Sequence, residues 1–183
     1  MRADNTKAPP PLFEGLDAEE IIAHARTMAN QLRADHGFTG DMASDPHRIA
    51  EESGIKVSTG NLEGNTVSVV IVGKRSFAIH TALSPSPLLS RTLLSMGIGS
   101  ILAHYPDLII SPDTRYQKCE IIFPGAKRSI STSTYITNFA RELLAPADVI
   151  RSMVSKGVSD DAIAQHLGTS IEPVLSQRGR LGI

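Results

Sequence analysis

The chain is poor in the residues that most often announce a chemistry. Among 183 residues there is no tryptophan, and three tyrosines and five phenylalanines make an aromatic content of only 4%. A stacking platform for single-stranded nucleic acid needs several rings in series, so that class is disfavoured. Cysteine occurs once, at Cys119, which excludes an intrachain disulfide framework and a zinc cluster built on thiolates. An excess of one charge is lacking too: 18 Lys and Arg against 19 Asp and Glu give a formal net charge of −1. Proteins that hold nucleic acid mainly by neutralising phosphates carry a surplus of positive charge. No apolar run approaches the roughly 20 residues that span a bilayer. Met1 to Gly15 has no hydrophobic segment of the secretory type, and a cytoplasmic location is expected.

What is present is enough apolar sequence, 41% of residues, for one good core. Residues 1–15, with Pro9-Pro10-Pro11, read as a disordered tail. Residues 16–146 read as the core and residues 147–183 as a helical hairpin packed on it. Asp17 and Glu20 form a capping pair at the head of a helix whose apolar stripe is Ile21, Ile22, Ala25, Met28, Ala29 and Leu32. Asp45-Pro46 opens a short second helix. Ile55-Lys56-Val57, Thr66 to Val72 and Ser76 to Thr81 are β-like, with a turn at Gly73-Lys74-Arg75. Their short connections predict a small antiparallel sheet of about three strands. Leu88 to His104 is helical and apolar on more than one side, although Gly97 and Gly99 each cost about 1 kcal/mol in a helix interior. Pro106 to Ser131 is a long connection within which Cys119 to Phe123 can form a strand. Further helices are expected over Thr132 to Leu144, Ala147 to Lys156, Asp160 to Leu167 and Ile171 to Leu181, the last two capped by Ser159 and Ser170. Helices, small sheet, helices is an α+β order.

Taken singly, the candidate motifs are bland. The six histidines contain no i, i+4 pair, the helical spacing that holds zinc. Gly97-Ile98-Gly99-Ser100 lies inside a helical pattern and is neither a dinucleotide fingerprint nor a phosphate loop. There is no Gly-x-Ser-x-Gly elbow. Ser159 to Val174 has the spacing of a helix-turn-helix, with Gly168 at the turn. Its second helix starts with Glu172 and Pro173, and only Gln177, Arg178 and Arg180 could contact DNA.

Motif order is more specific. Ile49-Ala50, then Gly54-Ile55-Lys56-Val57, then Arg91 to His104, then Asn138-Phe139-Ala140-Arg141-Glu142-Leu143-Leu144-Ala145-Pro146, then the helical hairpin follow one another. Over residues 20–183 this resembles the ImmA/IrrE family of zinc metallopeptidases. The Phe-Ala-x-Glu-Leu-Leu-x-Pro segment of that family is matched at Phe139, Ala140, Glu142, Leu143, Leu144 and Pro146. The resemblance implies zincin-like helices around the sheet and a structural role for the terminal hairpin. The active helix departs from the family pattern Arg-Phe-Thr-Leu-Ala-His-Glu-Leu-Gly-His. Arg91, Leu94, Gly99 and His104 keep their places. Met96 and Ser100 stand where the resemblance puts zinc-ligand histidines, and Gly97 where it puts the general-base glutamate. No Asp, Glu or His lies between Ser131 and Thr137 to serve as third ligand; Tyr135 is the bulkiest residue there.

Catalytic zinc needs three protein donors and a water, and hydrolysis needs a base beside that water. The resemblance therefore implies a pseudoenzyme with no catalytic residues, metal or cofactor. Its degenerate groove is formed by His80, Arg91, Met96, Gly97, Ser100, His104 and Tyr135, with Gly97 emptying the volume of a lost glutamate. Active relatives cleave helix-turn-helix repressors, often of mobile elements. An inactive one is expected to bind a protein partner, either such a regulator or a homologous subunit, and not nucleic acid or membrane. The alternatives are a hydrolase with a relocated site using His80, His104, Glu142 or Cys119, and a DNA-binding regulator using Gln177, Arg178 and Arg180.

Overall fold

The computed structural model describes residues 13, 15–60, 67–71, 77–82, 86–104, 119–123 and 130–183. These form, in chain order, α1 (Ala18–Asp35), α2 (Pro46–Glu52), β1 (Ile55–Gly60), β2 (Val67–Ile71), β3 (Phe77–Ala82), α3 (Pro87–His104), β4 (Cys119–Phe123), α4 (Ile130–Leu144), α5 (Ala147–Ser155), α6 (Asp160–Leu167) and α7 (Ile171–Leu181). The turn expected at Gly73-Lys74-Arg75 and most of the connection from Pro106 to Ser131 lie outside the described residues.

Local chemistry sets the helix ends. The Asp17 carboxylate accepts from the backbone N–H groups of Glu19 and Glu20, while Glu20 reaches back to the Asp17 N–H, a complete capping box. Asp45 caps α2 through the His47 and Arg48 N–H groups, with Pro46 in the first turn. Gly168 ends α6 in the left-handed region at φ 60°, where a side chain would be strained. Ser170 stands at the head of α7, but its side chain makes no hydrogen bond to the helix backbone.

The α+β class is as expected, but the sheet differs in count and direction. Among the described residues it has four strands in the order β1-β3-β2-β4. β2 runs antiparallel to both β3 and β4, whereas β1 lies parallel to β3 with Ser58 opposite His80. The antiparallel expectation assumed that strands close in sequence pair with each other. Here β1 and β2 flank β3 on opposite edges, and β4, arriving after α3, takes the free edge of β2.

Alternation along β3 buries Phe77, Ile79 and Thr81 on one face and leaves Ala78 and His80 half-buried on the other. The buried face carries α3, and α4 packs between α3 and α1. Ile21, Ala25, Ala29 and Leu32 of α1 belong to this core, with Ile98, Ile101 and Leu102 of α3. Two glycines set how close α3 comes to its neighbours. A Cβ on Gly97 would lie 2.8 Å from Ile79 Cγ2, and one on Gly99 would lie 2.7 Å from Phe139 Cδ1. Phe13, expected within a disordered tail, is instead 1% exposed and stacks on Tyr135 at 4.8 Å between ring centroids; residues 1–12 lie outside the described residues. Helices α5–α7 enclose a second, smaller apolar cluster that includes Ile150, Ile163, Leu167 and Val174.

Candidate functional site

The residues expected to share one groove are not brought together. Met96 stays at a surface: it lines a cavity between α3, α4 and α7. Gly97 does not empty that cavity. It lies one step round the helix, against the sheet, and the space beside it is filled by Ile79. Ser100 is 1% exposed, and its hydroxyl donates back to the Met96 carbonyl at 2.9 Å, a helix-internal bond. His104 closes α3, half-buried.

His80 and Tyr135 belong elsewhere. His80 leaves β3 on the face opposite Ile79, and so opposite α3, where its Nδ1 lies 2.8 Å from Ser58 Oγ. Strand alternation makes this unavoidable once Ile79 is buried. Tyr135 is fully buried between Phe13 and Phe139, stacked on both and tilted against His24. Burial pushes its phenol well above the ordinary value of 10.0. It is a core residue and not a groove residue, because its helix face is turned toward α1.

Arg91 acts as a clamp. Its Nη2 donates to the Ser44 carbonyl at 2.6 Å and to the Leu167 carbonyl at 3.4 Å, joining the loop before α2 to the end of α6. Arg33, only 4% exposed, donates to Ser44 Oγ at 2.6 Å and to the Met42 carbonyl, and Ser44 Oγ in turn donates to the Leu143 carbonyl. Burial holds Arg33 below the ordinary arginine value, with Asp148 and Glu142 opposing the shift.

Glu142 is the densest polar centre described, and sequence reasoning captured only part of it. Its carboxylate is 1% exposed. Oε2 accepts from Arg26 Nε at 3.1 Å and Gln177 Nε2 at 2.7 Å; Oε1 accepts from Asn30 Nδ2 at 3.3 Å and the Ala147 N–H at 3.1 Å. The last bond caps α5, whose own N-cap, Pro146, offers no side-chain acceptor. A carboxylate set among Phe139, Ala140, Leu143 and Leu144 was the available signal. Buried charge persists only when it is paired and fully hydrogen-bonded.

The residues weighed for DNA contact are tied inward. Gln177 is 1% exposed and spans Glu142 and the Ala145 carbonyl. Arg178 pairs with Asp160 at 2.7 Å. Arg180 Nη1 donates to Asn138 Oδ1 at 2.7 Å, and Arg141 Nη1 donates to the same oxygen at 3.1 Å. Among the described residues no three His, Cys, Asp or Glu side chains stand together where they could hold a metal ion, and no helix is long and apolar enough to cross a membrane. No family model matches the chain, and no curated protein matches it.

Proposed function

We propose that the protein is a catalytically inactive, peptidase-like regulator that binds a protein partner without cleaving it. The partner is a helix-turn-helix transcriptional regulator or a homologous subunit. One observation carries the reading: the stretch of α3 at residues 96–100 offers neither a metal donor nor a base. Gly97 is pressed on Ile79, the Ser100 hydroxyl is spent on its own helix, and Met96 offers a thioether. Zinc hydrolysis needs imidazole, thiolate or carboxylate donors and a base in such a place. The near-zero net charge favours a protein partner over direct phosphate recognition. The relocated hydrolase gains nothing from Glu142, whose two oxygens are occupied by four donors.

The test combines metal analysis with a binding assay. The purified chain is incubated with the helix-turn-helix regulator encoded nearest its own gene and analysed by size-exclusion chromatography. A co-eluting complex with intact regulator and substoichiometric zinc is expected. Stoichiometric zinc together with regulator cleavage that stops on chelation overturns the proposal.

A further inference from the structure

The cavity between α3, α4 and α7 has an apolar body with one arginine, Arg141, and one glutamate, Glu172, in its lining, and Arg180 lies beyond that lining. Met96, Ala140, Leu144 and Pro173 form the body, and Thr92, Thr137 and Ser176 add hydroxyls. Its volume, about 260 Å³, is just under the roughly 300 Å³ at which sites for drug-sized ligands begin. That is room for one short chain and too little for a nucleotide.

Arg141 forms one wall, and Arg180 stands on α7 one turn beyond Ser176. The two guanidiniums converge on a single amide oxygen, Asn138 Oδ1. Arg141 is half-buried, whereas Arg180 is exposed and its remaining N–H groups are open to solvent or a ligand. Arg26 stands near Arg180, and Glu142 partly offsets it. Desolvation first, and then the neighbouring arginine, hold both Arg141 and Arg180 below their ordinary value. A neutral amide oxygen is a weak counterpart for two cations, whereas a carboxylate bonds a guanidinium fork in bidentate fashion. Glu142 is already saturated, and Glu172 lines the cavity from the first turn of α7. Arg26 and Glu142 neutralise each other, so Arg141 and Arg180 against Glu172 leave a single positive charge, which matches a monoanion better than a dianion.

We propose that this cavity binds an amphipathic monocarboxylate, its carboxylate on Arg141 and Arg180 and its short apolar chain among Met96, Ala140, Leu144 and Pro173. The site does not depend on the partner reading. The test is a titration of the full-length chain with sodium octanoate, followed by amide ¹H–¹⁵N correlation spectra, with octanol and inorganic phosphate as parallel probes. Octanoate is expected to move the resonances of residues around Met96, Ala140, Arg141 and Ser176. Octanol should bind about tenfold more weakly, the worth of the lost charge-assisted pair, and phosphate should leave those resonances in place. Arg180→Gln should weaken octanoate about tenfold and leave octanol unchanged. Ser176→Phe, which fills the cavity from a half-buried position, should abolish binding of both. No response to octanoate, equal affinity for octanol, an equal response to phosphate, or octanoate shifts that persist in Ser176→Phe each overturn the proposal.

Discussion

The two apolar clusters of this protein are held by different means. In the first, built from α1–α4 and the sheet, α3 lies buried on several sides and touches its neighbours through bare backbone at Gly97 and Gly99. In the second, α5–α7 enclose a small core around Ile150, Ile163, Leu167 and Val174. A unit of this size, below roughly 40 residues, rarely folds without external support. Its support is a polar seam: Glu142 gathers α1, α5 and α7, and Arg91 ties the end of α6 to the loop before α2. Shape specifies the first region. Directed hydrogen bonds fasten the second to it, and such bonds fail abruptly when one partner is removed.

The largest break in this scheme is expected from Glu142→Ala. It leaves the Arg26 Nε, the Asn30 amide and the Ala147 N–H without their acceptor, and Gln177 with the Ala145 carbonyl alone. Glu142 is buried while Arg26 is about a third exposed, so the cost comes mainly from the buried donors left unpaired, about 1–3 kcal/mol. Chemical denaturation should show that loss, and amide exchange should show α5–α7 opening before α1–α4. Glu142→Gln should rescue little. Each carboxylate oxygen serves two donors, so whichever position the amide NH₂ takes then faces donors on both sides. Uniform exchange across both regions in Glu142→Ala would contradict the polar-seam account.

Glycine substitutions sharpen the comparison from the other side. In Gly99→Ala the new methyl meets the ring of Phe139 at 2.7 Å, and in Gly97→Ala it meets Ile79 at 2.8 Å. Overpacking costs about 1–3 kcal/mol, against about 1 kcal/mol gained in helix propensity. Each variant should lose about 1 kcal/mol in denaturant titration. Gly179, inside α7, has nothing within 4 Å of its Cβ position. Gly179→Ala should therefore gain up to about 1 kcal/mol. Equal signs at all three glycines would remove the distinction between the regions.

These glycines also mark how far the sequence could be read. Helix limits and the caps at Asp17 and Asp45 follow from local spacing, and all four strand segments are visible as β-branched or alternating runs. Which edge of β3 receives β1 is not local information, because a short connection permits crossing a neighbour as well as pairing with it. A glycine on an apolar helix is equally compatible with a vacated site and with close packing; only the position of Ile79 decides. Tyr135 could be placed on α4 but not on a face of the core, since its partner Phe13 lies in a stretch that reads as tail. The Glu142 centre depends on Gln177, 35 positions away, and on the arrest of α4 by Pro146.

The smallest expected effect lies on the exposed rim between the regions. Lys156, just past α5, bonds the Asp41 carboxylate at 2.8 Å. That hydrogen bond is the main cause holding Asp41 below its ordinary value of 3.8. A carboxylate with a lowered folded-state pKa adds stability that is complete above its unfolded value and is lost as pH falls through the folded one. The wild type should therefore lose thermal stability slightly faster than Asp41→Asn as pH drops below 3.8. At neutral pH the two should nearly coincide, because both side chains are well solvated and such pairs are screened by salt. A melting temperature for Asp41→Asn at neutral pH as low as that of Glu142→Ala would mean that the rim, and not the buried carboxylate, fastens the second region to the first.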